Sequence, residues 1–307
     1  MDPLSEIGVF VKTVELRSFT KAADRLETSS ATVSRIITKL ELGLGVKLLE
    51  RTTRRVAPTP DGMVFYDRCR HILDDLESAK SELVSLRDTL RGTLRVILPA
   101  SYGDQWIMPL LNDFTRRYPE LTLNVALSDR SEDLTGGDFD VAISVGEPAT
   151  DRLVARKLRV SRIVTAAAPA YLAEKGTPGT PDDLTRHNCL LYIRPGQRSK
   201  WLWEFTNDGK TLRHVAVRSN LLIDNGMSLM KAAVHGAGII QAPDYVVQHQ
   251  LNNGALVEIL HEFQPPGPAI WLLFPPGGQR STRSRMLIDQ LFAMADTLPG
   301  ISPPPAA

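Results

Sequence analysis

The chain has 307 residues, of which 43% are hydrophobic and 23% charged, a composition typical of a globular protein with about two domains. Its formal net charge of +1 excludes a general attraction to nucleic acid or membranes, so any such contact requires a local patch. Two cysteines exclude a disulfide framework, the start MDPLSEIGVF lacks a signal-peptide pattern, and no apolar run reaches membrane-spanning length. We therefore expect a cytoplasmic protein with no membrane partner.

The N-terminal 91 residues predict helices and one short hairpin. Apolar stripes predict a first helix over Leu4–Val14 and a second over Phe19–Leu26, the latter capped by Ser18 or Thr20. A third helix follows Ser29, which is a good N-cap. Its apolar face consists of Val33, Ile37, Leu40 and Leu44. Two short helices joined by about three residues indicate a helix-turn-helix.

The outer face of this third helix predicts contact with DNA. Between Arg17 and Arg55 nine Lys or Arg residues stand against four Asp or Glu residues, a local charge of +5. Short hydroxyl side chains leave room for base edges in the major groove, where Arg35 can reach a guanine. The sequence from Lys47 to Thr59 predicts a two-stranded wing with Thr52–Arg55 near its tip, and its arginines suit phosphates. The predicted DNA-binding residues are Ser30, Ala31, Ser34, Arg35, Thr38, Lys39, Arg51, Arg54 and Arg55.

A long helix follows, begun by the cap residues Thr59 and Asp61 and ended by Gly92. From Phe65 to Leu90 its apolar residues recur at alternating spacings of four and three, which is the pattern of a coiled-coil seam. We predict a dimerising helix; the alternative is a helix that packs against its own domain. The predicted dimerisation residues are Phe65, Ile72, Leu76, Leu83 and Leu86.

From Thr93 onward strands alternate with helices, which predicts a parallel α/β sheet covered on both faces, as one large sheet or two small ones. The predicted strands are TLRVILP (93–99), LTLNVALS (121–128), FDVAISVG (139–146), RIVTAAA (162–168), CLLYI (189–193), WLWEF (201–205), HVAVRSNLLI (214–223), AGIIQAP (237–243) and AIWLLFPP (269–276). The predicted helices are 103–117, 169–174, 227–235 and 281–298.

The order of motifs from Phe10 to Gly62 resembles one family. F-x-x-V-x-x-x-x-S-F-T-x-A-A-x-x-L, V-S-R-x-I, L-G-V-K-L-L-E-R-T and T-P-D-G are similar to the winged helix-turn-helix of LysR-type transcriptional regulators. TLRVILPASYG, FDVAISVGEP and AAAPAYLAEKGTP resemble stretches of the family's effector region, so the resemblance covers essentially the whole chain. Two positions depart from the usual pattern: Ser30-Ala31 replaces Gln-Pro, which removes a base-reading amide, and Pro58-Thr59 replaces Leu-Thr.

The resemblance implies an all-α winged helix-turn-helix DNA-binding domain plus a long linker helix, followed by a two-lobed α/β effector domain like a periplasmic binding protein. We assign residues 1–60 to the first, 61–91 to the linker and 92–307 to the effector domain. Lobe I would comprise about 92–161 and 267–300, and lobe II about 162–266. The crossovers would lie near Val160–Ile163 and Gln264–Pro268.

The resemblance places an effector between the lobes, and the residues around the predicted helix starts support this. Ser101-Tyr102 and Asn225-Gly226 precede predicted helices, whose N-termini attract anions, so we predict an organic anion. Ser128 and Val145 end two strands, and Arg194 follows a third as a counter-charge. The predicted effector-binding residues are Ser101, Tyr102, Ser128, Val145, Arg194, Asn225 and Gly226. The alternative is that they are caps, turn residues and a surface cation.

The sequence thus predicts a sequence-specific transcriptional regulator that binds double-stranded DNA and a small-molecule effector, works as a dimer or dimer of dimers, and contacts RNA polymerase if it is an activator. A second hypothesis is a small-molecule binding module whose N-terminal part serves assembly. We predict no enzyme activity, because the motifs of hydrolases, nucleotide-binding loops and metalloproteases are absent. No catalytic residue, metal site or cofactor is expected, and Cys189 is expected to be structural and buried rather than a redox switch.

Overall fold

A computed structural model describes residues 3–51, 56–84, 90–129, 139–148, 152–193 and 202–295. The chain divides into two compact units, one of residues 1–89 with 280–282, the other of residues 90–279 with 283–307. No helix in these described ranges has the length and apolar character needed to cross a membrane.

The first unit is a helical domain with a two-stranded wing. Its elements are α1 (Pro3–Leu16), α2 (Phe19–Arg25), α3 (Ser30–Leu44), β1 (Leu49–Arg51), β2 (Val56–Pro58) and α4 (Pro60–Val84). The strands pair antiparallel, with Leu49 opposite Pro58 and Arg51 opposite Val56. The helix-turn-helix and the wing strands therefore lie where the sequence predicts them, while the wing tip (52–55) lies outside the described residues.

Local capping explains where these helices begin and end. The Ser18 hydroxyl accepts a hydrogen bond from the Lys21 amide and the Ser29 hydroxyl from the Thr32 amide, so both predicted serine caps are confirmed. Gly45 ends α3 with a left-handed φ of 72°, a conformation that glycine adopts without a Cβ clash. The core of this unit is formed by Phe10, Ala22, Ala23, Val33 and Ile37, none more than 2% exposed.

The apolar face of α3 differs from the predicted one at its C-terminal end. Leu44 is 43% exposed, whereas Ile36 and the charged Glu41 are buried. The Glu41 carboxylate accepts hydrogen bonds from the amides of Leu48 and Leu49, at 3.0 and 3.1 Å, and from Lys47 Nζ at 2.9 Å. Glu41 is buried because its carboxylate binds the segment that enters the wing. This polar contact takes the place of the apolar contact that was predicted for the C-terminal end of α3.

Glu41→Ala is expected to destabilise the first unit by about 2–4 kcal/mol, because two amides lose their buried acceptor. Burial raises the pKa of Glu41, but the bonds from Lys47, Leu49 and Leu48 outweigh it and leave the pKa below its usual 4.5. This stabilisation is therefore present above pH 4.5 and is lost as the pH falls through the lower, folded-state pKa. Urea unfolding with hydrogen exchange on residues 1–60 measures both effects. The exposed Glu50, changed to alanine, is the control, and equal losses in the two variants would refute the assignment.

The second unit contains the α/β elements. They are β3 (Gly92–Leu98), α5 (Ala100–Tyr102), a π turn (Gly103–Ile107), α6 (Met108–Arg117), β4 (Leu121–Leu127), β5 (Val141–Val145), β6 (Val154–Ala167), α7 (Pro169–Lys175), β7 (Cys189–Tyr192), β8 (Leu202–Thr206), β9 (Leu212–Ala216), β10 (Leu222–Ile223), α8 (Gly226–Val234), β11 (Ile239–Pro243), α9 (Asp244–Asn252), β12 (Val257–Ile259), β13 (Pro266–Phe274) and α10 (Thr282–Ala295). Short 3₁₀ turns lie at Pro181–Arg186, His261–Phe263 and Gly278–Arg280.

Two long strands join the lobes into one hydrogen-bonded sheet. Its order is β10-β7-β11-β6-β13-β5-β3-β4, with β12 also paired to β6, and β8–β9 form a separate hairpin. Lobe I has β4, β3 and β5 in parallel, next to β13 and the first half of β6. Lobe II has the second half of β6 between β11 and β12, with β7 and β10 beyond β11. The prediction of a parallel sheet is wrong at the centre, where β6 and β13 run antiparallel to their neighbours because both cross between lobes.

The two crossings lie side by side. Ser161 Oγ donates to the Pro268 carbonyl at 2.7 Å, and the Ile163 amide donates to the Pro265 carbonyl at 3.3 Å. A Cβ on Gly267 would lie 2.5 Å from Ser161 Oγ, so this close approach requires glycine. These contacts hold the two crossing segments close together. The two segments form the hinge between the lobes.

Several element boundaries differ from the sequence expectation. The segment RIVTAAA is only the end of β6, which begins at Val154, and HVAVRSNLLI is divided between β9 and β10. Helix α9 was not predicted at all. The last predicted helix is observed over Thr282–Ala295, and the residues after it lie outside the described ranges.

Candidate functional site

The outer face of α3 gathers six of the predicted DNA-binding residues. Ala31, Arg35 and Lys39 lie four residues apart and are exposed, and Ser30, Ser34 and Thr38 beside them are half-buried. Val33, Ile36 and Ile37 anchor the opposite face in the core. The helix therefore presents small side chains and two cations outward on a rigid support.

The polar side chains on this face are not equally available. Lys39 Nζ contacts Glu6 Oε1 at 2.5 Å with its side chain still 67% exposed, and Thr38 Oγ1 donates to the Ser34 carbonyl at 2.9 Å. Arg35 makes no hydrogen bond or ion pair with any residue that the structure describes. Of these residues, Arg35 is thus the one whose polar atoms are left for a partner molecule.

The wing residues of the prediction cannot be placed in the same way. Arg51 is the last residue of β1, but its side chain lies outside the described residues, as do Arg54 and Arg55. Their contact with phosphates stays a prediction.

The first turns of α4 serve its own domain. Phe65 packs on Phe10, with ring centroids 5.5 Å apart, and Cys69 is 1% exposed in the same core. The start of the predicted seam therefore packs within its own domain, as the alternative interpretation expects there, and the role of Phe65 in dimerisation stays a prediction. Ile72 is 49% exposed and Leu76 half-buried, while the side chains of Leu83 and Leu86 lie outside the described residues.

On the lobe I side of the cleft, Ser101 and Tyr102 follow β3 and are 8% and 1% exposed. The Ala100 amide, which we expected to attract an anion, donates to the Asp129 carboxylate at 3.0 Å. The Ser128 amide donates to the Leu98 carbonyl at 2.8 Å, and Val145 ends β5 opposite Ile270. The structure brings these strand ends to one edge of the lobe but satisfies the Ala100 donor within the protein.

On the lobe II side, Asn225 and Gly226 begin α8. Asn225 Oδ1 accepts a hydrogen bond from the Ser228 amide at 2.9 Å, so this side chain acts as the helix cap, the alternative weighed for it above. A Cβ on Gly226 would lie 2.9 Å from Ser101 Oγ, so these two predicted effector residues meet across the lobes. Arg194 lies outside the described residues.

The sequence did not reveal a buried ion pair beside the cleft. Arg159 of β6 and Asp244 at the start of α9 approach to 3.4 Å with side-chain exposures of 1% and 0%. Burial raises the pKa of Asp244 above its ordinary value, although Arg159 acts in the opposite direction. No local pattern marks either residue, because they are 85 positions apart in the chain.

Tyr102 contributes a second buried polar group to this region. Its ring meets that of Tyr245 edge-on at 5.2 Å, and its hydroxyl has no hydrogen-bond partner among the described residues. Burial raises the pKa of Tyr102 to about 12, so the hydroxyl keeps its proton at neutral pH. A buried hydroxyl of this kind is a donor that lacks an acceptor.

Neither the cysteines nor the acidic residues suggest reaction chemistry. Cys189 is fully buried, and burial raises the pKa of its thiol to about 12, which agrees with the structural role predicted for it. Within the described ranges, no three His, Cys, Asp or Glu residues are grouped to hold a metal ion.

Comparison with known protein families identifies both units. Residues 4–63 match the family described as bacterial regulatory helix-turn-helix protein, lysR family, and residues 87–296 match the LysR substrate binding domain. An HTH-type transcriptional regulator of Haemophilus influenzae is 34% identical over 275 residues, which cover 90% of this chain and 94% of the relative.

Solved structures agree with this result. CrgA, a LysR-type transcriptional regulator from Neisseria meningitidis, matches with a TM-score of 0.61 and 30% identity over 95% of this chain and 98% of CrgA. Full-length LysG from Corynebacterium glutamicum, solved with bound effector Arg, has a TM-score of 0.67. That match covers 97% of this chain and 99% of LysG at 19% identity, so it bears on the fold alone.

Proposed function

This chain belongs to the LysR family of bacterial transcriptional regulators, and we propose that it reads its operator with the outer face of α3. The observation that carries this proposal is the exposed row of Ala31, Arg35 and Lys39 on a helix anchored by its opposite face. Ser30, Ala31 and Ser34 let the backbone approach base edges, and Arg35 reaches a guanine. Thr38, Lys39 and the wing arginines Arg51, Arg54 and Arg55 contact phosphates.

The effector domain, in the same proposal, binds an organic anion between its lobes. Ser101, Tyr102 and Gly226 lie where the two lobes meet, which supports their role. In the same proposal Ser128 and Val145 contact the effector from the strand ends of lobe I, and Arg194 supplies the counter-charge. Asn225 contributes through the helix start that it caps. Residues 1–60, 61–91 and 92–307 serve as DNA-binding domain, linker and effector domain in a cytoplasmic regulator, which contacts RNA polymerase if it activates transcription.

The proposal is tested by competition binding to the DNA upstream of the protein's own gene. Unlabelled operator should displace the labelled operator at concentrations at least about 10³-fold lower than unrelated DNA does. A binding module whose N-terminal part serves assembly would instead bind both DNAs weakly, with equal affinity and a steep salt dependence. Equal competition by both DNAs would overturn the proposal.

We also propose that α4 dimerises through its later turns. Leu76→Asp should raise the dimer dissociation constant at least about 100-fold, because it places a charge in a desolvated seam. Analytical ultracentrifugation measures this change. Val64→Asp is the matched control, since Val64 is 66% exposed on the same helix and lies outside the predicted seam. If Leu76→Asp dimerises as strongly as Val64→Asp, the interface lies elsewhere.

A further inference from the structure

One short segment of lobe I makes side-chain hydrogen bonds across the cleft, beside the proposed effector residues. The π turn Gly103–Ile107 carries Gln105 and Trp106. Trp106 Nε1 donates to the Tyr245 carbonyl at 2.8 Å, and Gln105 Nε2 donates to Met227 Sδ at 2.9 Å. π turns within α-helices frequently lie at functional sites. We name these contacts the interlobe latch.

The lobe II half of the latch is fixed from behind. Asp244 Oδ1 accepts a hydrogen bond from the Tyr245 amide at 2.8 Å, and Oδ2 meets Arg159 in the buried ion pair. Arg159 belongs to β6 at the point where this strand pairs with β13 before crossing to lobe II. Strand β6 therefore holds Tyr245 in place through Arg159 and Asp244. The carbonyl that accepts from Trp106 thus has a fixed position.

No ligand atom fits between the lobes at this point. A single carbon added to Gly226 would lie 2.9 Å from Ser101 Oγ, closer than ordinary van der Waals contact. A ligand atom inserted between these two residues therefore requires the lobes to separate here.

The closed arrangement also carries an internal cost. The Tyr102 hydroxyl is buried at the centre of the contact and has no acceptor among the described residues. Buried donors without partners are rare in folded proteins, and pairing them stabilises the state in which the pair forms. Separation of the lobes gives this hydroxyl access to water or to a ligand oxygen.

We propose that the interlobe latch holds the effector domain closed in the absence of ligand, and that an effector which binds at Ser101 and Gly226 acts by releasing it. This inference rests on the proposed effector site. A ligand shifts an equilibrium only by its differential affinity for the two states, so an effector of this kind binds the released state more tightly. Weakening the latch should therefore imitate the effector, and strengthening it should oppose the effector.

Hydrogen exchange on the full-length protein, without ligand or DNA, tests the latch directly. Trp106→Phe keeps an aromatic ring but removes the indole donor. It should accelerate exchange about 3- to 10-fold in two separate stretches, 100–107 of lobe I and 226–248 of lobe II. Trp271→Phe is the matched control, because Trp271 Nε1 has no partner in the described ranges and its removal should leave lobe II unchanged. Acceleration confined to 100–107 would overturn the latch.

A second variant should change the rate of hydrogen exchange in the opposite direction. Tyr102→Phe removes the hydroxyl that the closed state leaves without an acceptor, so exchange in both stretches should become about 3-fold slower or more. Tyr171→Phe is the control, because it removes a hydroxyl that already has partners. The Tyr171 hydroxyl accepts from the Asn188 amide at 3.0 Å and lies 3.3 Å from His187 Nδ1, so its removal should not slow exchange in the two stretches. Faster exchange at 226–248 in Tyr102→Phe would show that this hydroxyl stabilises the closed state, which would contradict the proposal.

The second half of the proposal, that release of the latch regulates the protein, is tested by its binding to DNA. Without any added small molecule, Trp106→Phe should change the DNase I footprint on the operator, while Trp271→Phe should keep the wild-type footprint. If exchange accelerates as expected and the footprint stays the same, the latch exists but does not regulate, and the second half of the proposal is wrong. A chain that binds no operator at all would refute the proposed function, while the exchange result would still decide the latch.

Discussion

Arg35→Ala is expected to weaken strongly the preference of this regulator for its operator. An arginine that forks onto a guanine contributes about 1–3 kcal/mol of discrimination, so specific affinity should fall roughly 5- to 150-fold. Arg35 is exposed on α3 and makes no hydrogen bond or ion pair within the described ranges, so the substitution removes no internal contact. Helix content and unfolding should therefore stay close to those of the wild type.

Two measurements distinguish base reading from phosphate binding. Fluorescence anisotropy with operator and with a scrambled duplex gives the specificity ratio, which should fall roughly 5- to 150-fold for Arg35→Ala. Lys39→Ala should weaken both duplexes alike and reduce the salt slope by about one unit. Arg186→Ala, an exposed arginine of the effector domain, removes the same charge and should change neither quantity. Retention of the specificity ratio by Arg35→Ala would refute its assignment to base edges.

Asp244→Ala should destabilise the effector domain by about 3–5 kcal/mol. The variant leaves the Arg159 guanidinium buried without the carboxylate that faces it, and breaking a buried pair from one side is costly. The exposed pair Arg213–Asp182 is the control, since both side chains are more than half exposed. Asp182→Ala should cost less than about 1 kcal/mol. Urea unfolding of the full-length protein measures both losses, and equal values would contradict the role of the buried pair.

The double variant Arg159→Met with Asp244→Leu should recover much of this loss. Burial raises the pKa of Asp244 and Arg159 acts in the opposite direction, so burial opposes the ionised form of this carboxyl. Apolar replacement of both partners is often neutral or stabilising for such pairs. If the double variant is as unstable as the sum of the single variants, the two residues do not act as a pair.

The first unit was predictable because its signals are local. Each serine cap lies directly before the helix that it begins, and the apolar spacing of α3 places Val33 and Ile37 in the core. Glu41 was not predictable, because an acidic residue near a helix end normally indicates a solvated position. Its burial depends on the amides of Leu48 and Leu49, which no helical period can show.

The centre of the effector domain was less predictable because its contacts are distant in sequence. A parallel sheet follows from strand-helix alternation, yet β6 and β13 run antiparallel to their neighbours since each passes from one lobe to the other. Helix α9 begins at Asp244, whose partner Arg159 lies 85 residues earlier in a strand. Ser101 and Gly226 were each predicted as effector residues from a local helix start, but the direct contact between them depends on how the lobes close.

The carboxylate of Glu41 joins the reading helix to the start of the wing, and this has a consequence for the shape of the operator. In the proposed complex, α3 lies in the major groove and the wing lies on the DNA backbone, so they contact two different places of the same duplex. Glu41 fixes the spacing between α3 and the start of the wing. A duplex whose groove width differs from this spacing must deform before both contacts form, and the energy of deformation depends on the base steps involved. The regulator should therefore discriminate among operators by the stiffness of base pairs that none of its side chains touches.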